Sequence, residues 1–91
     1  MLIEPPNITK ITSKAPGPTL AVITGIHGNE LTGPLAIESI LPTLHITKGN
    51  LYMVLANPSA LKVQKRQVNK NLNRCFYPNN TGSDYEDQSA R

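Results

Sequence analysis

A histidine and a glutamate stand three residues apart in the stretch Thr24-Gly25-Ile26-His27-Gly28-Asn29-Glu30. In a tight turn, that spacing lets an imidazole nitrogen and a carboxylate oxygen converge on one point. This is a donor pair that zinc accepts, and a catalytic zinc site normally takes three protein ligands and keeps a fourth position for water. Two ligands are therefore visible, His27 and Glu30, and a third is required. Gly25 and Gly28 are expected to carry the chain through positive φ, where a Cβ would resist. The bland alternative is a solvated turn in which Glu30 favours the start of the helix that follows.

A second chemistry-bearing stretch lies downstream. Five of the nine basic residues, Lys62, Lys65, Lys70, Arg66 and Arg74, fall in one segment without an acid, while Asp84, Glu86 and Asp87 cluster behind it. Such a segment can bind an anion. Lys62, Lys65 and Lys70 read as a solvated face. Nucleic acid is a poor fit, because single-strand binders stack bases on aromatics set among the basic residues, and here Phe76 and Tyr77 only follow the run.

The elements that must position these groups are legible in the periodicity. Ile8 to Ser13 alternates as a short edge strand, and Ala15-Pro16-Gly17-Pro18 reads as a turn. Thr19 to Ile26 is nearly continuous in apolar and β-branched residues, the pattern of a strand buried on both faces. Leu35, Ile37, Ile40, Leu41 and Leu44 recur at helical spacing, with Pro34 near the helix start and Pro42 weakening its end. Asn50 to Ala56 repeats the buried-strand pattern and stops at Asn57-Pro58. Strand, helix and strand in this order make a βαβ unit with parallel strands, so the His27 turn and the Asn57-Pro58 loop should open onto one crevice. Asn57-Pro58 itself reads as a strand-ending turn. Ser59 to Gln67 reads as a short helix or loop, residues 78 to 84 as a loop, and Tyr85 to Arg91 as a helix that stops before it buries anything. His45 follows a helix of about 14 residues, which sets it roughly 20 Å from the turn, too far to complete the metal site. Cys75 is nearer, but a free cysteine beside Phe76 is more often packed.

The totals bound the rest. The chain has 91 residues, 38% of them apolar, with one Phe and no Trp, which allows one domain with a thin core and marginal stability. One cysteine makes no intrachain disulfide, fitting a reducing compartment. The N-terminus lacks a basic n-region and a long apolar stretch, and no run approaches membrane-spanning length. The expectation is a cytoplasmic protein without membrane or nucleic-acid partners, its assembly into a homo-oligomer left open.

Four blocks in order, Gly25-Ile26-His27-Gly28-Asn29-Glu30, Ala56-Asn57-Pro58-Ser59-Ala60, Arg66, and Leu72-Asn73-Arg74-Cys75-Phe76, resemble the N-terminal part of the succinylglutamate desuccinylase/aspartoacylase family, relatives of the zinc carboxypeptidases. The resemblance implies an α/β fold with a mixed, largely parallel sheet and flanking helices. Residues 1–91 would then be one N-terminal part of a zinc deacylase domain, truncated, with an irregular lead-in over 1–7 and a loop and incomplete helix over 78–91. It also implies one zinc ion, held by His27 and Glu30, and hydrolysis of the amide of a small N-acyl amino acid such as N-succinylglutamate or N-acetylaspartate. Arg66 would polarise the scissile carbonyl and its oxyanion, and Asn73 with Arg74 would hold a substrate carboxylate. Guanidinium groups suit both tasks, being planar, forked donors that stay charged. The family has an acid before Leu-Asn-Arg where this chain has Asn71, so a charge that could brace a nearby arginine is missing. Its third zinc ligand, a histidine on a later strand, and its general-base glutamate fall outside these residues. The competing expectation is a catalytically inactive module that binds a metal or an anion.

Overall fold

Both apolar runs form neighbouring strands. The computed structural model of the chain describes residues 8–91, so the lead-in expected over 1–7 lies outside the described residues. Strands β1 (Ile8–Thr12), β2 (Thr19–Thr24) and β3 (Asn50–Leu55) make one sheet in the order β1-β3-β2. β2 runs parallel to β3 in a register from Thr19 opposite Asn50 to Thr24 opposite Leu55. β1 runs antiparallel to β3, from Ile8 opposite Val54 to Thr12 opposite Asn50. The sheet is thus mixed, with β1 on an edge as its alternation suggested.

β2 departs from its expected burial. It is the other edge of the sheet, and Leu20 and Ile23 are 61% and 53% exposed. An apolar, β-branched run reports strand propensity and a surface suited to burial, but burial itself depends on which elements pack over it. β3, flanked on both sides, has Met53 and Leu55 buried.

Helix α1 (Thr32–Ile40) joins the parallel strands and continues as a 3-10 turn, Leu41–Thr43. Pro42 explains the change of winding: without an N–H it cannot extend the α-helical ladder, and the tighter turn tolerates it at its start. The start of α1 meets the end of β2 at one close point, since a Cβ on Gly33 would come within 2.9 Å of the Thr24 side chain. Helix α2 (Pro58–Val63) follows β3 at once. Asn57 is its N-cap, its side-chain oxygen accepting from Ala60 N–H at 3.3 Å, with Pro58 in the first turn. Asn-Pro is therefore a helix start as well as a strand end, the arrangement favoured by Asn at the cap and Pro just inside.

The core gathers Ala56, Leu72 and Cys75, with Ile26 and Ala90 packed against it. Cys75 is a packed thiol, 1% exposed, and burial pushes its pKa up. Helix α3 (Tyr85–Ala90) corrects the reading of the last residues. It buries Glu86 and Asp87, at 0% and 1% exposure, and so ties the end of the chain to its middle. Among the described residues no helix is long and apolar enough to cross a membrane.

Candidate metal and substrate site

The parallel strands deliver both loops to one edge. Thr24 O accepts from Ala56 N–H at 2.8 Å and Gly25 O from Asn57 N–H at 3.0 Å, so the His27 turn and the Asn57 cap lie side by side. Gly25 adopts φ +70°, as expected of the turn. Gly28 is glycine for a different reason than the one expected. It is absent from the positive-φ residues, but a Cβ there would lie 2.2 Å from the Ala60 carbonyl carbon and 2.3 Å from Lys65 O. Close approach of two backbones, not dihedral freedom, excludes a side chain.

His27 and Glu30 converge, with His27 Nδ1 in contact with Glu30 Oε2. The N-cap of α1 is Leu31, without a side-chain cap, so the Glu30 carboxylate is turned toward the imidazole instead of capping that helix. The other ring nitrogen, Nε2, lies 2.8 Å from Asn71 Oδ1. The same oxygen accepts from Asn73 N–H at 3.0 Å. A backbone N–H only donates, which fixes the Asn71 amide with its oxygen facing both groups, and His27 Nε2 must then carry the proton. In the neutral ring, Nδ1 is consequently a lone pair aimed at a carboxylate oxygen. Two acceptors face each other, and only a second ring proton or a cation reconciles them. The donor set, imidazole nitrogen plus carboxylate oxygen, fits zinc. Among the described residues no group of three or more His, Cys, Asp or Glu is placed to hold a metal ion.

A cleft of about 590 Å³ opens at this turn, lined by His27, Asn29, Glu30, Thr32 and Asn73 among others. Asn73 thus faces the same space as the ligand pair. Arg66 reaches the turn through its backbone, its carbonyl accepting from Gly28 N–H at 3.2 Å, and its side chain is exposed. Arg74 closes the 3-10 turn Leu72–Arg74 and is exposed as well. Neither arginine is among the residues lining the cleft. Asn71, where the resemblance has an acid to brace an arginine, bonds the imidazole.

The segment that carries these groups is held from below by a carboxylate that the sequence reading missed. Glu86 Oε2 accepts from Val68 N–H at 2.7 Å and from the Asn57 side-chain amide at 2.8 Å, and Oε1 accepts from Asn69 and Lys70 N–H at 2.8 and 3.0 Å. Burial alone would push this carboxyl up, but the N–H of Lys70, the Asn57 amide and the N–H of Val68 and Asn69 outweigh it and hold the pKa at about 2. Lys70, expected on a solvated face, is instead paired, its Nζ 2.7 Å from Asp87 Oδ2 and 3.4 Å from Asp84 Oδ2. The hydrogen bond that Lys70 donates to Asp87 raises the lysine and lowers the aspartate. One signal was available in the sequence: an acidic cluster close behind a basic run, with a polar Asn-rich segment between.

The sheet edge brings a His-x-x-Glu turn beside an Asn-Arg segment in a small α/β unit, and comparison with known proteins gives the family. Residues 16–91 match the succinylglutamate desuccinylase/aspartoacylase catalytic domain, and the chain belongs to that family. A protein named probable aspartoacylase from Trichodesmium erythraeum is 38% identical over 80 residues, covering 79% of this chain and 27% of its own length. The crystal structure of a succinylglutamate desuccinylase/aspartoacylase from Rhodobacter sphaeroides superposes with a TM-score of 0.77 at 27% identity, over 91% of this chain and 26% of that one. An aspartoacylase family protein from Mesorhizobium loti gives a TM-score of 0.72 at 28% identity, over 91% of this chain and 28% of its own. The chain therefore spans about a quarter of the length of these relatives.

Proposed function

We propose that this chain carries the zinc-holding turn and the substrate-gripping segment of a hydrolase that cleaves the amide bond of an N-acyl amino acid. His27, through Nδ1, and Glu30 would hold the ion, with a third ligand supplied from outside residues 1–91. Zinc, when bound, acidifies its water and polarises the amide carbonyl. Asn73, on the cleft wall, donates its side-chain amide to a substrate carboxylate, and the adjacent Arg74 adds a charged fork to the same anion. Arg66, tied to the turn through Gly28, meets the oxyanion that develops as the carbonyl becomes tetrahedral, where a fixed positive charge stabilises the transition state more than the ground state.

The observation that carries this reading is the contact of His27 Nδ1 with the Glu30 carboxylate while Nε2 is engaged by Asn71. The test is zinc content by inductively coupled plasma spectrometry, comparing the intact protein with a His27→Ala, Glu30→Ala variant. The variant is expected to lose its zinc; equal content in both removes the site. A deacylase assay over several N-acyl amino acids is the companion measurement, and turnover by the intact protein would rule out the inactive metal- or anion-binding module. Residues 1–91 purified alone are expected to show no turnover.

A further inference from the structure

Asn71 holds an unusual place between two functional groups. Its Oδ1 accepts from His27 Nε2 at 2.8 Å and from Asn73 N–H at 3.0 Å, so one oxygen spans the ligand turn and the segment that faces it across the cleft. The contact to the imidazole bridges 44 positions of sequence, and Asn71 is at the same time the N-cap of the 3-10 turn Leu72–Arg74. The turn fixes where the oxygen sits, because Asn71 is in extended geometry with φ −66° and ψ 111° and its side chain folds over the following N–H. An imidazole that donates Nε2–H to a fixed acceptor has its ring plane and its tautomer set, which leaves Nδ1 as the coordinating atom.

We propose that Asn71 is the positioning residue of the His27 imidazole, locking it as the Nε2–H tautomer and linking the orientation of that ligand to the backbone of Asn73. The proposal rests on the zinc reading above only where metal affinity is measured; the tautomer is a property of the metal-free chain. A neutral amide oxygen in this place orients the ring without adding a negative charge behind it. Substrate pressed against Asn73 therefore acts on the oxygen that also aims the metal ligand.

Three variants of the intact protein separate this role from simple capping. Asn71→Asp keeps both acceptor functions. Asn71→Ser keeps a hydroxyl able to cap Asn73 N–H but is too short to reach the imidazole, and Asn71→Leu removes both. In metal-free protein at alkaline pH, two-bond proton–nitrogen correlation spectra are expected to show His27 as the Nε2–H tautomer in the wild type and the Asp variant, and a mixture of tautomers in the Ser variant. In competition titrations with a chromophoric chelator, the Ser and Leu variants should bind zinc about ten- to a hundredfold more weakly than wild type, the range for loss of a supporting partner to a ligating histidine, and the Asp variant should restore it. A Ser variant with wild-type tautomer would overturn the proposal, reducing Asn71 to a cap. Failure of the zinc reading has a different signature: zinc affinity insensitive to His27→Ala, with the tautomer result standing by itself.

Discussion

Glu86 shows how much of a site can depend on a residue that touches neither metal nor substrate. Its two oxygens satisfy three successive, partly buried backbone donors and the buried Asn57 side-chain amide, and all four would lose their partner if the carboxylate were lost. Glu86→Gln puts an amide NH2 where an acceptor is required, and a destabilisation of about 2 to 3 kcal/mol is expected from urea midpoints. The pH dependence has a definite sign. The folded carboxyl sits at about 2, below the ordinary value of 4.5, so its contribution is complete above the ordinary value and is lost as pH falls through the folded one. Urea midpoints should decline between these two values in the wild type and less steeply in the Gln variant; parallel declines would contradict the assignment. Beyond an acidic cluster close behind a basic run, none of this was legible beforehand. A carboxylate five positions before Arg91 looks like surface, and only the fold brings residues 68–70 over it. By contrast, His27 and Glu30 were legible because their partner is three positions away.

At the level of elements, the βαβ order was readable because period and length distinguish strand from helix, and the parallel pairing followed from it. The edges of elements were less so. Pro42 ended α1 as an α-helix near where its chemistry requires, but the burial of α3 and the tie between Asn57 and Glu86 depend on contacts between distant segments. Gly28 is a similar case, its constraint coming from the backbone of α2 rather than from the turn itself. Gly28→Ala forces a methyl into Ala60 and Lys65 backbone atoms that cannot rotate away. The expected result is a loss of about 1 to 3 kcal/mol in stability, read by thermal denaturation, with weaker zinc binding because His27 is the adjacent residue. Gly33→Ala, whose Cβ meets only the Thr24 side chain at 2.9 Å, should be milder; the reverse ranking would remove the close-approach argument.

For the whole molecule, the exposed faces of β2 and α1 set the behaviour of residues 1–91 in isolation. Leu20, Ile23, Leu35 and Ile40 are 61%, 53%, 48% and 45% exposed, and β2 offers an unpaired strand edge among the described residues. Apolar strand edges of this kind recruit other chains. Light scattering on residues 1–91 should show concentration-dependent association that Leu20→Lys reduces, and a monomer at all concentrations would refute it. The site itself was only partly readable at this scale. The family blocks marked the candidate residues, while the partner of Asn71 needed coordinates, since 44 positions separate it from His27.

The bond between Asn57 and Glu86 spans 29 positions. A ribosome releasing the chain from its N-terminus exposes the strands and the ligand turn well before the carboxylate that organises Val68, Asn69 and Lys70. During synthesis that segment stays unsettled until α3 emerges. In pulse-labelling exchange, its three amides should gain protection together, and later than the amides of β3.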